Sequence, residues 1–150
     1  MVDVSQPQKI MLISCGKNKI NYPAPACKMY VGTSFKLKQK HAIDFADDYF
    51  ILSAKYGLLK KDEIISPYEC SLLKQNKKYI LEYSNKVILQ IKNNIIKGSI
   101  IEFHTPDIYW RFVHGSLKDY ICLFLVKGLS QGFHRQYYCN SQKNKLLKLF

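Results

Sequence analysis

The chain has 150 residues, 47% of them hydrophobic and 13% aromatic, which fits one domain with its own core and excludes a disordered tail protein. Lys and Arg number 23 against 11 Asp and Glu, a formal net charge of +12, and only Arg111 and Arg135 are arginine. That excess favours polyanion partners, because each neutralised phosphate releases counterions, although a Lys-, Ile- and Asn-rich composition is also what AT-rich coding yields.

Cys15, Cys27, Cys70, Cys122 and Cys139 stand at long, irregular spacings with no C-x-x-C pair, which points to reduced thiols rather than a disulfide framework. The start M-V-D-V-S-Q-P-Q is polar, and no apolar run approaches the roughly 18 residues that cross a bilayer. A soluble, cytoplasmic protein with no membrane association is expected.

Ile10–Ile13 is an unbroken apolar run and reads as a strand buried on both faces. It ends abruptly in Ser14-Cys15-Gly16-Lys17-Asn18-Lys19. Ligands of open α/β sheets sit at the carboxyl ends of strands, so a hydroxyl, a thiol, a glycine and two lysines there point to a polar or anionic ligand. An ordinary turn with solvated lysines accounts for them equally.

Pro23 and Pro25 force extended backbone. Thr33 or Ser34 then caps a helix over about residues 35–47, with Phe35, Ala42, Phe45 and Ala46 on one face and Lys36 and Lys40 on another, a solvated face. Tyr49–Ala54 is a second buried strand, followed by a small and cationic turn from Ser53 to Leu59. Two strands with similar polar ends suggest one site shared between parallel neighbours. A long helix follows over about residues 77–96, with Ile80, Val87, Ile91 and Ile95 as its stripe and Gly98 as its stop.

Ser99–Phe103 reads as a third strand, Tyr109–Val113 as a short helix, and Tyr120–Val126 as the fourth and most apolar strand. Gly128-Leu129-Ser130-Gln131-Gly132 leads into a helix over residues 133–149, a weak anion-cradle pattern without the spacing of a Walker loop or dinucleotide fingerprint. The expected fold is therefore α/β: a single small domain with a mainly parallel sheet of about four strands flanked by helices.

The segments L-I-S-C-G-K-N-K, P-A-P-A-C-K-M-Y-V-G-T-S-F, I-L-S-A-K-Y-G-L-L and I-S-P-Y-E follow one another between residues 9 and 70. In this order they resemble the small uncharacterised bacterial and phage domains related to the YaaA peroxide-stress proteins. More distantly they resemble the catalytic domain of archaeosine synthase, and Gly128–Gln136 is a looser echo. The resemblance implies a domain that handles a nucleobase in nucleic acid, DNA more than RNA. Some relatives remove modified bases as phage defence, and YaaA itself is tied to DNA binding and oxidative damage. In archaeosine synthase a lysine of the Cys-Ser-x-x-Lys turn engages the base, which corresponds here to Lys17 or Lys19. The family's Pro-Tyr-Asp is Pro67-Tyr68-Glu69 here, which keeps the carboxylate one methylene further out.

Breaking an N-glycosidic bond requires a carboxylate or nucleophile for the developing oxocarbenium sugar, and donors for the departing base. Glu69 is the first candidate carboxylate and Asp107 the second. Lys17 or Lys19, each a cationic neighbour of the other, is the candidate amine nucleophile, with Lys55 on the next loop. Ser14, Cys15, Gly16, Ser53, Pro67 and Tyr68 complete the expected pocket, Tyr30, Tyr56 and Tyr109 are candidates to stack on a base, and Gly57 and Gly32 serve backbone conformation. Gly128, Ser130, Gln131, Gly132, Arg135 and Gln136 are candidates to hold a flanking phosphate. Cys15 has no histidine in its motif to activate it and reads as a pocket-lining residue. His41, His104, His114 and His134 lack metal-binding spacing, so neither metal nor cofactor is expected.

Three readings stand: cleavage of a modified base from DNA, base exchange or amide transfer on a deazaguanine, and non-catalytic DNA binding in a stress response. The small size leaves room for a protein partner or self-association.

Overall fold

The strand formed by the first apolar run sits at the middle of the sheet, where burial from both sides matches its unbroken hydrophobicity. The computed structural model describes residues 6–128 and 136–140. In chain order its elements are β1 (Lys9–Ser14), β2 (Ala24–Pro25), α1 (Ala26–Met29), α2 (Thr33–Phe45), β3 (Asp48–Ser53), β4 (Gly57–Leu59), β5 (Ile64–Ile65), α3 (Lys77–Asn94), β6 (Ile100–His104) and β7 (Ile121–Leu123). Five strands form one sheet in the order β4-β3-β1-β6-β7, and β2 and β5 form a two-stranded antiparallel ribbon. β1 pairs in parallel with β3 and β6, and β6 with β7; only β4 runs antiparallel. The architecture is a small single α/β domain, mostly parallel, flanked by helices.

Alternation along the central strands sorts the core into two faces. Ile10, Leu12, Ile101 and Phe103 pack with Tyr83, Val87 and Ile91 of α3, while Met11, Ile13 and Ile51 pack with Phe35 and Ala42 of α2. The chain steps from β1 to β3 on one side and later to β6 on the other. The crevice between the carboxyl ends of β1 and β6 is therefore the switch point of the sheet, where open α/β folds bind ligands.

The fifth strand, β4, lies inside what reads from sequence as a turn. Gly57 takes φ +77 and folds the chain back into a hairpin, and Gln90 of α3 secures it: its Oε1 accepts from Leu58 N at 2.8 Å, and its Nε2 donates to Tyr56 O at 3.3 Å. Gly32 takes an ordinary φ of −70 as the N-cap of α2, so neither Thr33 nor Ser34 is the cap and no side chain caps this end. Asn76 does cap α3, accepting from Tyr79 N at 2.9 Å. The expected fourth strand shrinks to β7, an edge strand with Ile121 and Leu123 exposed at its two ends. Its apolar run has β6 on one side only, and Phe124 turns back to pack on Trp110 and Phe103 at ring distances of 4.3 and 5.4 Å. The expected helix at Tyr109–Val113 is instead two 3-10 turns, Asp107–Tyr109 and His114–Ser116. Of the last expected helix, residues 136–140 are helical and the remainder lies outside the described residues.

Candidate active site

β1 ends at Ser14, and Cys15 extends its ladder by one bond, Cys15 N donating to Leu52 O at 2.9 Å. The chain then turns and pairs back on itself. Ile20 N donates to Met29 O and Val31 N to Asn18 O, both at 3.0 Å, with Lys19 opposite Tyr30. This clip holds Lys19 Nζ 4.5 Å from the Tyr68 ring centroid, a cation–π contact, and 3.3 Å from Lys17 O.

Behind the clip runs a chain of buried hydroxyls. Ser53 Oγ accepts from Lys55 N and Tyr56 N at 3.1 and 3.0 Å, which leaves its proton for Tyr68 Oη at 2.7 Å. Tyr68 Oη in turn lies 2.7 Å from Tyr30 Oη. Burial, above all, raises the pKa of both phenols, so both remain protonated.

A cleft of about 580 Å³ opens in front of these groups, lined by Cys15, Gly16, Lys17, Lys19, Glu69, Cys70, Ser71, Lys74, Gln75 and Tyr109. Its volume is that of a small-molecule site. Tyr109 enters from the segment after β6, and its Oη lies 3.4 Å from Cys15 Sγ, bridging the ends of the two strands. Six residues singled out from sequence thus share the cleft: Cys15, Gly16, Lys17, Lys19, Glu69 and Tyr109. Three lysines and one carboxylate line it, a composition suited to an anionic ligand with one cationic or proton-bearing centre.

The remaining candidates fall elsewhere. The cleft lies between β1 and β6, so the turn after β3 supplies support rather than lining: Ser53 is buried, and Lys55 rests over the Tyr56 ring at 5.2 Å. Ser14, Pro67 and Tyr68 are not lining residues either. Tyr30 is 1% exposed, packed on Phe35 and edge-on to Tyr68, so no ring face is free to stack on a base. Tyr109 is likewise buried edge-on to Tyr83 and offers its hydroxyl end. Tyr56 is partly buried against Tyr68. Asp107 starts a 3-10 turn outside the cleft. A Cβ on Gly16 would meet Phe35 Cβ at 3.6 Å, an ordinary contact, so no steric demand fixes glycine there. Gly128 and Gln136 are exposed, and Ser130, Gln131, Gly132 and Arg135 lie outside the described residues. Among the described residues no group of three or more metal-ligating side chains occurs. No described helix is long and apolar enough to cross a membrane.

A model of a family of unknown function, DUF6884, matches residues 10–140. The chain belongs to the DUF6884 family. The matched span includes every residue that lines the cleft. No curated protein matches the chain.

Two features of this DUF6884 protein escape a reading by periodicity. Lys38 lies on the sheet-facing stripe of α2 with Phe35 and Ala42, is 3% exposed, and donates from Nζ to Ser14 Oγ at 3.0 Å. Burial lowers its pKa to about 8. Its spacing from Phe35 and Ala42 was the available signal. The second feature is a polar cluster on the same face of the sheet. His104 meets Tyr138 Oη through Nδ1 at 2.7 Å and Glu102 Oε1 through Nε2 at 3.3 Å, and Lys9 Nζ lies 3.0 Å from Glu102 Oε2. Burial works against the Glu102 charge, yet His104 and Lys9 outweigh it and hold the carboxyl below its usual range. His41 packs on His104, Phe45 and Tyr138, its Nδ1 has no partner among the described residues, and burial followed by the neighbouring His104 lowers its pKa to about 4.

Proposed function

We propose that this protein binds DNA and releases a modified nucleobase by cleaving its N-glycosidic bond. The observation that carries the reading is that one carboxylate, Glu69, lines the same cleft at the β1/β6 crevice as Lys17, Lys19 and Lys74. Lysines neutralise phosphates as a nucleotide leaves the stack. A carboxylate stabilises the cationic sugar or deprotonates the attacking water. Tyr109, whose phenol burial keeps protonated, is a donor for the departing base. The similarity of residues 9–70 to the YaaA-related domains and to archaeosine synthase supports a nucleobase as the group bound.

The test is incubation with phage DNA carrying hypermodified cytosine, thymine or deazaguanine, beside unmodified DNA. Free base is read by mass spectrometry and abasic sites by alkaline cleavage. Release from a modified DNA is expected, with losses of about 10²-fold or more in Glu69→Gln and Lys19→Ala. Full release by Lys17→Ala, Lys19→Ala and Glu69→Gln alike would show that the site is wrong. Salt-sensitive binding with no base released from any substrate would replace the enzymatic reading with a binding protein.

A further inference from the structure

The segment from Cys70 to Gln75 borders the cleft, and its side chains divide three ways. Cys70, Ser71, Lys74 and Gln75 line the cleft. Leu72 turns into the core and is 1% exposed. Leu73 does neither: it stands 72% exposed, the most exposed large apolar side chain among the described residues. Single leucines on a surface are common, but the fold sets this one between residues that line the cleft. Its backbone is a 3-10 turn, Leu72–Lys74, with Lys74 N donating to Ser71 O and Gln75 N to Leu72 O, both at 3.2 Å. Gln75 Nε2 donates to Ser71 O at 3.3 Å, and Asn76 caps α3 directly afterwards. The turn packs against the 3-10 turn Asp107–Tyr109, which carries Tyr109 into the cleft. Leu73 is therefore carried on backbone fixed from both sides, by a buried leucine before it and a capped helix after it. Lys74, Lys77 and Lys78 follow, all exposed, and supply charge for the phosphates of a strand lying along this rim.

A nucleobase held in the cleft has left its stack, and the two bases it separated are then roughly 7 Å apart, twice the rise of about 3.4 Å per nucleotide. One layer of carbon atoms, about 3.5–4.0 Å from the base on either side, fills that gap. We propose that Leu73 is an apolar wedge that enters the base stack of duplex DNA and takes the place of the nucleobase drawn into the cleft, with Lys74, Lys77 and Lys78 on the flanking phosphates. Such wedges offset the cost of unstacking with apolar contact to the bases that remain. The inference rests on the glycosidic reading for the base that the cleft takes. It adds that the DNA is double-stranded and that this chain itself opens the stack.

The experiment gives the wild-type protein and Leu73→Ala the same oligonucleotides, carrying hydroxymethylcytosine, hydroxymethyluracil or deazaguanine, as single strands and as duplexes with a fluorescent aminopurine beside the modified base. Aminopurine brightens when its neighbour leaves the stack, so it reads the wedge on binding with no bond cut; free base is read by mass spectrometry. At saturating protein the duplex is expected to brighten with the wild type and to stay near its unbound signal with Leu73→Ala. Release of base from the duplex should fall about tenfold or more in Leu73→Ala, the effect of losing one buried leucine side chain, while release from the single strand is unchanged. Leu73 is exposed, so the variant keeps its core, which circular dichroism confirms. No brightening with the wild type, equal brightening with Leu73→Ala, or an equal loss of release from single strand and duplex overturns the wedge. Brightening that Leu73→Ala abolishes, with no base released from any oligonucleotide, upholds the wedge and overturns the glycosidic reading instead.

Discussion

Lys38→Met should stabilise the protein at neutral pH and destabilise it in strong base. Lys38 is 3% exposed and donates to Ser14 Oγ, its one hydrogen bond among the described residues, and burial lowers its pKa from 10.5 to about 8. Below pH 8 the amine is protonated in both the folded and unfolded chains, so the full cost of burying the charge is present. Between pH 8 and 10.5 the unfolded chain holds a proton that the folded one has released, so stability rises with pH through this window. About 2.5 units at 1.36 kcal/mol each put the cost near 3 kcal/mol at pH 7. Methionine fills the same stem volume without the charge, and loses a hydrogen bond worth about 1 kcal/mol. The variant is therefore expected to gain about 2 kcal/mol at pH 7 and to lose about 1 kcal/mol near pH 10.5. Urea unfolding of both proteins at pH 7 and at intervals up to pH 10 measures the difference, and contributions from the buried tyrosines cancel between them. A variant less stable at pH 7, or a difference that does not change with pH, would refute an uncompensated buried ammonium.

Gly57→Ala should cost at least about 1–2 kcal/mol, because it places a side chain at φ +77 and drives its Cβ into Gln90 Oε1, breaking the bond that holds β4 to α3; thermal denaturation reads this as a lowered Tm. His41 gives an acid-side dependence. Its pKa falls from 6.5 to about 4, so between those values the unfolded chain binds a proton that the folded one refuses. Stability is lost as pH falls through that window, by about 3 kcal/mol in all. His41→Phe, which keeps a ring against Phe45 and Tyr138, should flatten this slope in urea titrations from pH 7 to 4, and an unchanged slope would assign the acid sensitivity to other groups.

What the sequence made legible follows from what hydrophobic periodicity reports. β1 and β3 are apolar without interruption because helices cover both their faces, so their runs mark them as central strands and their polar ends mark the carboxyl edge of the sheet. Residues 121–126 are as apolar, yet only three of them form a strand, because such a run cannot distinguish a central strand from an edge whose side chains turn back onto a neighbouring turn. Periodicity also assigns an element a face without saying which strand end that face will meet. The turn after β3 carries residues as polar as those after β1, but the step of the chain from β4 across to β6 puts the crevice on the other side of β1, and of these two turns the one after β1 lines it.

The same limit hid the residues that carry most of the electrostatics. On α2, Phe35, Lys38, His41 and Ala42 are the buried positions, so the sheet-facing stripe is half polar, and a search for apolar residues passes over the other half. Glu102 and His104 alternate with Ile101 and Phe103 on β6 in the same way, and face α2 while their apolar neighbours face α3. A lysine at core spacing on a helix is costly to desolvate, and with no carboxylate paired to it among the described residues its hydrogen bond to Ser14 Oγ offsets part of that cost. Lys38 ends at the carboxyl edge of β1, against the residue that precedes Cys15. A chain that keeps a buried ammonium there gives up stability beside the edge of the sheet where the cleft opens, and departures of this kind from a consistent core are where function concentrates.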